Sequence, residues 1–109
     1  MRLILKGVHV DLSESLKGEV AAQLHAPLSL LQPSDAAQVE VHLVDNNGPK
    51  GGMDKECRVT VRMPRARAIH ITEVSDNLYK SIRLCADRLD RVFKRELERQ
   101  REDVAAPTP

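Results

Sequence analysis

At 109 residues and 41% hydrophobic content, the chain fits one soluble domain with a modest core, and no stretch is long and apolar enough to span a membrane. With no Trp, one Tyr and one Phe, that core must be aliphatic, and the aromatic stacking platforms of many single-strand RNA readers are nearly excluded. The formal net charge of +1 conceals an asymmetry: residues 1–49 carry three bases and six acids (−3), residues 50–101 carry 14 bases and eight acids (+6), and Glu102 and Asp103 restore the balance.

Arg2 to Val10 alternates as a strand, with Leu3 and Leu5 on one face and Arg2, Ile4 and Lys6 on the other. Strand-like alternation directly after Met1 also replaces the apolar block a signal peptide would need. Gly7 marks a bulge or a close approach near the strand's end. Ser13 is a fair N-cap for a helix on which Leu16, Val20 and Leu24 repeat, Gly18 weakens, and which Pro27 should kink or end. Leu28 to Leu31 extend it in apolar form before the loop Pro33-Ser34-Asp35. Gln38 to Val44 alternates again, with Val39, Val41 and Leu43 inward and Glu40 and His42 outward. After a glycine-rich loop, Glu56 to Met63 sends Cys57, Val59, Val61 and Met63 inward and Arg58, Thr60 and Arg62 outward. Pro64-Arg65-Ala66 turns the chain into a strand from Arg67 to Thr72, with Ile69 and Ile71 inward and His70 outward. Ser75 or Asp76 then caps a long helix from Asp76 to Arg101. The polar, Pro-containing residues from Glu102 to Pro109 are expected to form a short disordered tail, leaving 1–101 as a single domain.

The element order β-α-β-β-β-α implies an α+β fold. A right-handed crossover makes the first two strands parallel, and the last three form an antiparallel meander. Both helices have one apolar face and should pack on the same side of the four-stranded mixed sheet. The open side would carry Arg2, Lys6, Glu40, His42, Arg58, Arg62 and His70, a mostly basic set.

The sequence offers little catalytic chemistry. The loop Asn46-Asn47-Gly48-Pro49-Lys50-Gly51-Gly52 leads into a strand and not a helix, so it reads as a hairpin connection and not a phosphate loop, although Lys50 and Lys55 could touch an RNA backbone. His9, His25, His42 and His70 have no metal-ligand spacing with a cysteine. Cys57 and Cys85 read as small buried hydrophobes with free thiols, which fits a reducing cytoplasm. No cofactor, metal or small-molecule substrate is implied, and the reading is of a binding protein and not an enzyme.

The long helix carries the clearest signal. At about 100° per residue, Ile82, Cys85, Ala86, Leu89, Val92 and Phe93 share one arc, with Tyr79 and Leu97 at its edge. The opposite arc holds Lys80, Arg83, Arg88, Arg91, Lys94, Arg95, Arg99 and Arg101. A solvated face laced with pairs such as Asp87–Arg91 and Asp90–Lys94 is the ordinary explanation. Against it stand the confinement of the bases to one arc, their excess over acids, and Arg58, Arg62, Arg65 and Arg67 in the same half of the chain. That pattern favours an RNA backbone, whose phosphates release counterions as arginines neutralise them.

The segment Asp76-Asn77-Leu78-Tyr79-Lys80-Ser81-Ile82, with an acid shortly before Tyr-x-x-Ile, and then Arg88-Leu89-Asp90-Arg91-Val92-Phe93-Lys94-Arg95, resembles the closing helix of the ribosome hibernation promoting factor family, also called ribosome-associated inhibitor A or protein Y. Val10-Asp11-Leu12-Ser13-Glu14-Ser15-Leu16 is similar to that family's strand-to-helix passage, and the resemblance covers residues 1–101. It implies a fold akin to double-stranded-RNA-binding domains. It also implies binding to 16S-type ribosomal RNA of the small subunit where mRNA and tRNA sit, blocking translation and preserving idle ribosomes in the cytoplasm. Arg88, Arg91 and Arg95 fall on the family's basic positions, with Lys80, Arg83, Lys94, Arg58 and Arg62 as helpers. The first helix, usually basic in the family, carries only Lys17 here, so the last helix and the sheet face must supply most contacts. The family's long forms pair ribosomes through an extra C-terminal domain with no counterpart here, so the chain resembles a short form. The alternative is an interaction module docking an acidic protein through the basic helix or the open sheet face.

Overall fold

In the computed structural model the elements are β1 (Arg2–Val8), α1 (Glu14–Leu28), β2 (Gln38–Asp45), β3 (Lys55–Arg62), β4 (Ile69–Ser75) and α2 (Leu78–Ala105). Residues 1–46 and 54–105 are described, with the backbone alone at 97, 98 and 100–105. The sheet order is β1-β2-β3-β4, with β1 parallel to β2 and the other two pairs antiparallel. This is the expected mixed α+β sheet, its one parallel pair imposed by the α1 crossover.

The strands work by alternation. Val39 pairs with Val61, Val41 with Val59, Leu43 with Cys57, and Val59 with Ile71, all buried on one face. That face meets Leu16, Val20, Leu24 and Leu28 of α1 and Ile82, Cys85, Ala86, Leu89 and Phe93 of α2 in one core cluster. α2 lies across β3 and β4, and α1 packs beside it.

The boundaries differ from the expected ones for local reasons. β1 stops at Val8, and His9 follows with a left-handed φ of 57°. Gly7 marks a close approach: a Cβ there would sit 2.6 Å from the Val10 carbonyl oxygen. Ser13 does cap α1, its Oγ accepting from the Leu16 N–H at 3.1 Å. Pro27 sits in the last turn and the helix ends one residue later.

β4 begins two residues later than expected and runs three further, because Glu73, Val74 and Ser75 find partners in Cys57, Glu56 and Lys55. Ser75 is therefore strand and does not cap the long helix. Its Oγ accepts from the Asn77 N–H at 3.2 Å and lies 2.6 Å from the buried Ser81 Oγ, which donates to the Lys55 carbonyl at 2.6 Å. Asn77 is the cap, its Oδ1 accepting from the Tyr79 N–H at 2.8 Å. α2 passes the expected end at Arg101 and continues to Ala105, taking up the first residues expected in the tail, while 106–109 lie outside the described residues. The glycine-rich stretch expected as a hairpin connection also lies mostly outside them, but β2 and β3 do pair as antiparallel neighbours around it.

Candidate nucleic-acid interface

Because α2 buries Ile82, Cys85, Leu89 and Phe93 against the sheet, its 3.6-residue period turns Lys80, Arg83, Arg88, Arg91, Lys94 and Arg95 outward, and all six are exposed. They are not equivalent. Arg88 reaches back to β4, donating to the Thr72 carbonyl at 3.1 Å and to Glu73 Oε1 at 3.2 Å, and so straps the helix to the sheet edge. Lys94 pairs with Asp90 at 2.8 Å, as the spacing predicts. Arg91 meets Asp87 through its backbone carbonyl, Nε to O at 3.4 Å, and not through the carboxylate. Lys80, Arg83, Arg91 and Arg95 make no ion pair among the described residues. Together they present a strip of positive charge without ion pairs, interrupted by the exposed Asp87.

Arg58 and Arg62 do not join that strip. Their registers, opposite His42 and Gln38, put them on the open face of the sheet, away from both helices. There Arg58 pairs with Glu56, and Arg62 lies 3.8 Å from Glu40, which also sits 3.5 Å from His42 Nε2. Both arginines of β3 are thus paired, whereas Arg2 and Lys6 of β1, on the same face opposite Gln38 and His42, make no ion pair among the described residues. Exposed ion pairs of this kind contribute little to stability, but they compete with any external phosphate. α1 adds no uncompensated base, since its single lysine, Lys17, stands 3.6 Å from Glu14.

One further expectation changes. Lys55 is held by Asp54 at 2.9 Å and Asp45 at 3.1 Å; these carboxylates, Asp54 foremost, keep its ammonium above the ordinary lysine range. It is committed to the base of the hairpin and is unsuited to an RNA backbone, while Lys50 lies outside the described residues. Cys57 and Cys85 are buried and free, with Cys85 Sγ donating to the Cys57 carbonyl at 3.1 Å. The hydrogen bond to Cys85, followed by burial, holds the Cys57 thiol far above its usual range, which leaves it inert. Among the described residues no cluster of three or more His, Cys, Asp or Glu could hold a metal, and no helix is long and apolar enough to cross a membrane.

Residues 3–101 match the family described as Sigma 54 modulation protein / S30EA ribosomal protein. The chain belongs to this family. Among solved structures it is similar to the N-terminal domain of Protein Y from Thermus thermophilus, with a TM-score of 0.70, 20% identity, and 87% of this chain and 98% of that one covered. It is likewise similar to a ribosomal subunit interface protein from Coxiella burnetii, with a TM-score of 0.71, 20% identity, and 90% and 99% covered. At this identity the likeness is one of fold. Comparison with curated protein sequences finds no match.

In this S30EA family member one basic group escapes a reading by single elements. Arg65 and Arg67 of the β3–β4 connection come together with Arg99 of α2 around a cleft of about 430 Å³. The signal was present as two arginines flanking a turn, but only the packing of α2 over β4 brings the third to them.

Proposed function

We propose that the chain is a cytoplasmic, ribosome-associated factor that lays the outer face of α2 on small-subunit ribosomal RNA in the decoding region, excluding mRNA and tRNA from idle ribosomes. The observation that carries the reading is the strip of Lys80, Arg83, Arg91 and Arg95, exposed and free of ion pairs among the described residues, in a member of the S30EA family. Such a strip neutralises phosphates and gains from counterion release, so recognition is of backbone and shape and not of base sequence. Arg88 contributes from its position at the β4 edge, and Lys94 adds charge shared with Asp90. Arg58 and Arg62 would meet a second RNA segment on the far side of the sheet. Their carboxylate partners make them the weaker contributors.

Sucrose-gradient sedimentation of stationary-phase extract at low salt tests the reading. The chain should migrate with small subunits or whole ribosomes, and reversal of Arg88, Arg91 and Arg95 to Glu should return it to the top of the gradient. Wild-type protein remaining at the top would sink the proposal. Capture of one acidic protein from nuclease-treated extract, with no ribosome association, would establish the interaction-module alternative instead.

A further inference from the structure

The arginine-lined cleft lies between the β3–β4 turn and the outer half of α2. Its floor is apolar, formed by the half-buried Met63, Ile69 and Val92, and its rim carries Arg65, Arg67 and Arg99. Among the described residues the one carboxylate lining it is Glu96, 4.0 Å from Arg99. Arg65 and Arg67 make no ion pair among the described residues. At about 430 Å³ the cleft falls within the range of small-ligand sites.

The backbone adds an independent observation. Residues Met63-Pro64-Arg65-Ala66 form a turn closed by the Ala66 N–H and the Met63 carbonyl at 3.3 Å, and Arg65 sits in it with a φ of 66°. A turn with Pro at its second position and positive φ at its third favours Gly or Asn there. An arginine is less favoured in that place than Gly or Asn, so the turn holds Arg65 at a conformational cost.

We infer that this cleft seats one unstacked nucleotide of an RNA, with its phosphate among Arg65, Arg67 and Arg99 and its base against Met63, Ile69 and Val92. The inference rests on the RNA-binding reading above and adds to it a site and a structural preference. A base has apolar faces that suit such a floor, and guanidinium planes can stack on it while also bridging phosphate oxygens. Bases inside a duplex cannot reach a recess of this kind, so the site selects bulges, loops and strand ends. The cleft also continues the proposed interface, since Arg99 stands one helical turn beyond Arg95 on α2.

Fluorescence anisotropy of the full chain with two RNAs tests the inference: a blunt, fully paired duplex, and the same duplex carrying a one-nucleotide bulge. The bulged RNA should bind roughly fivefold or more tightly, the low end of what base stacking on a protein surface contributes. The variant Arg65→Gly with Arg67→Ala should lose that preference while melting at an equal or higher temperature, because glycine relieves the left-handed turn. The Ile69 and Val92 methyl resonances should shift with the bulged RNA and not with the paired one. Equal wild-type affinity for both RNAs would overturn the cleft while leaving RNA binding intact, as would a folded variant that keeps the preference. Failure to bind either RNA would overturn both readings together.

Discussion

Replacing Arg91 and Arg95 with Ala should change the salt dependence of small-subunit binding more than its fold. Four cations on the outer face of α2, Lys80, Arg83, Arg91 and Arg95, make no ion pair among the described residues. If each neutralises one phosphate, log K should fall against log salt with a slope of about −2.8 on single-stranded and −3.6 on duplex RNA. Between 50 and 200 mM salt that is a loss of roughly 50- to 150-fold. Removing two of the four should halve the strip's share of the slope, cutting that share of the loss to about 7- to 12-fold. Both side chains are exposed, so stability should stay within about 0.5 kcal/mol of wild type. The Arg58→Ala, Arg62→Ala pair should move the slope less, because Glu56 and Glu40 already neutralise those arginines. Filter binding to isolated small subunits across a salt series measures all three proteins. A wild-type slope in the Arg91, Arg95 variant, or a larger effect from the sheet-face variant, would refute the reasoning.

Thermal denaturation should separate the glycines by sign. Gly18→Ala, with nothing within 4 Å of the added methyl, should stabilise by up to about 1 kcal/mol, whereas Gly7→Ala drives a methyl against the Val10 carbonyl and should destabilise. Arg88→Ala should cost about 0.5–1 kcal/mol in urea titrations through loss of its strap to Thr72 and Glu73, while Arg95→Ala should be neutral; equal effects would contradict the division of labour along α2. Cys57 should resist thiol reagents in the folded protein and react only on unfolding. Because its folded pKa is raised, its contribution to stability is fully present below the ordinary thiol value of 9.0 and should erode as pH rises beyond it, a trend that Cys57→Ala would flatten.

Much of the fold is legible in the sequence because alternation is a local code. Val39-Glu40-Val41-His42-Leu43 and Cys57-Arg58-Val59-Thr60-Val61 state which face is buried, and burial follows them. The end of β4 is less legible, because Ser75 and Asn77 are both good cap residues and only the β3 register assigns one to the strand and the other to the helix. The candidate site is legible as an arc on α2, since helical period alone places those side chains. What each base does there is not. Arg88 looks like Arg95 until β4 supplies Thr72 and Glu73, and Arg58 and Arg62 look available until cross-strand and same-strand carboxylates claim them. Such pairings join residues as far apart as 22 positions in the chain, as with Glu40 and Arg62, and depend on register.

A photo-crosslinking residue at Asp87 would show whether the outer face of α2 lies on small-subunit RNA. That position is exposed, sits one turn from both Arg83 and Arg91, and costs no positive charge to replace. Irradiation of the complex with ribosomes should join it to small-subunit ribosomal RNA in the decoding region. Crosslinks confined to ribosomal proteins or to the large subunit, with binding otherwise intact, would contradict the account.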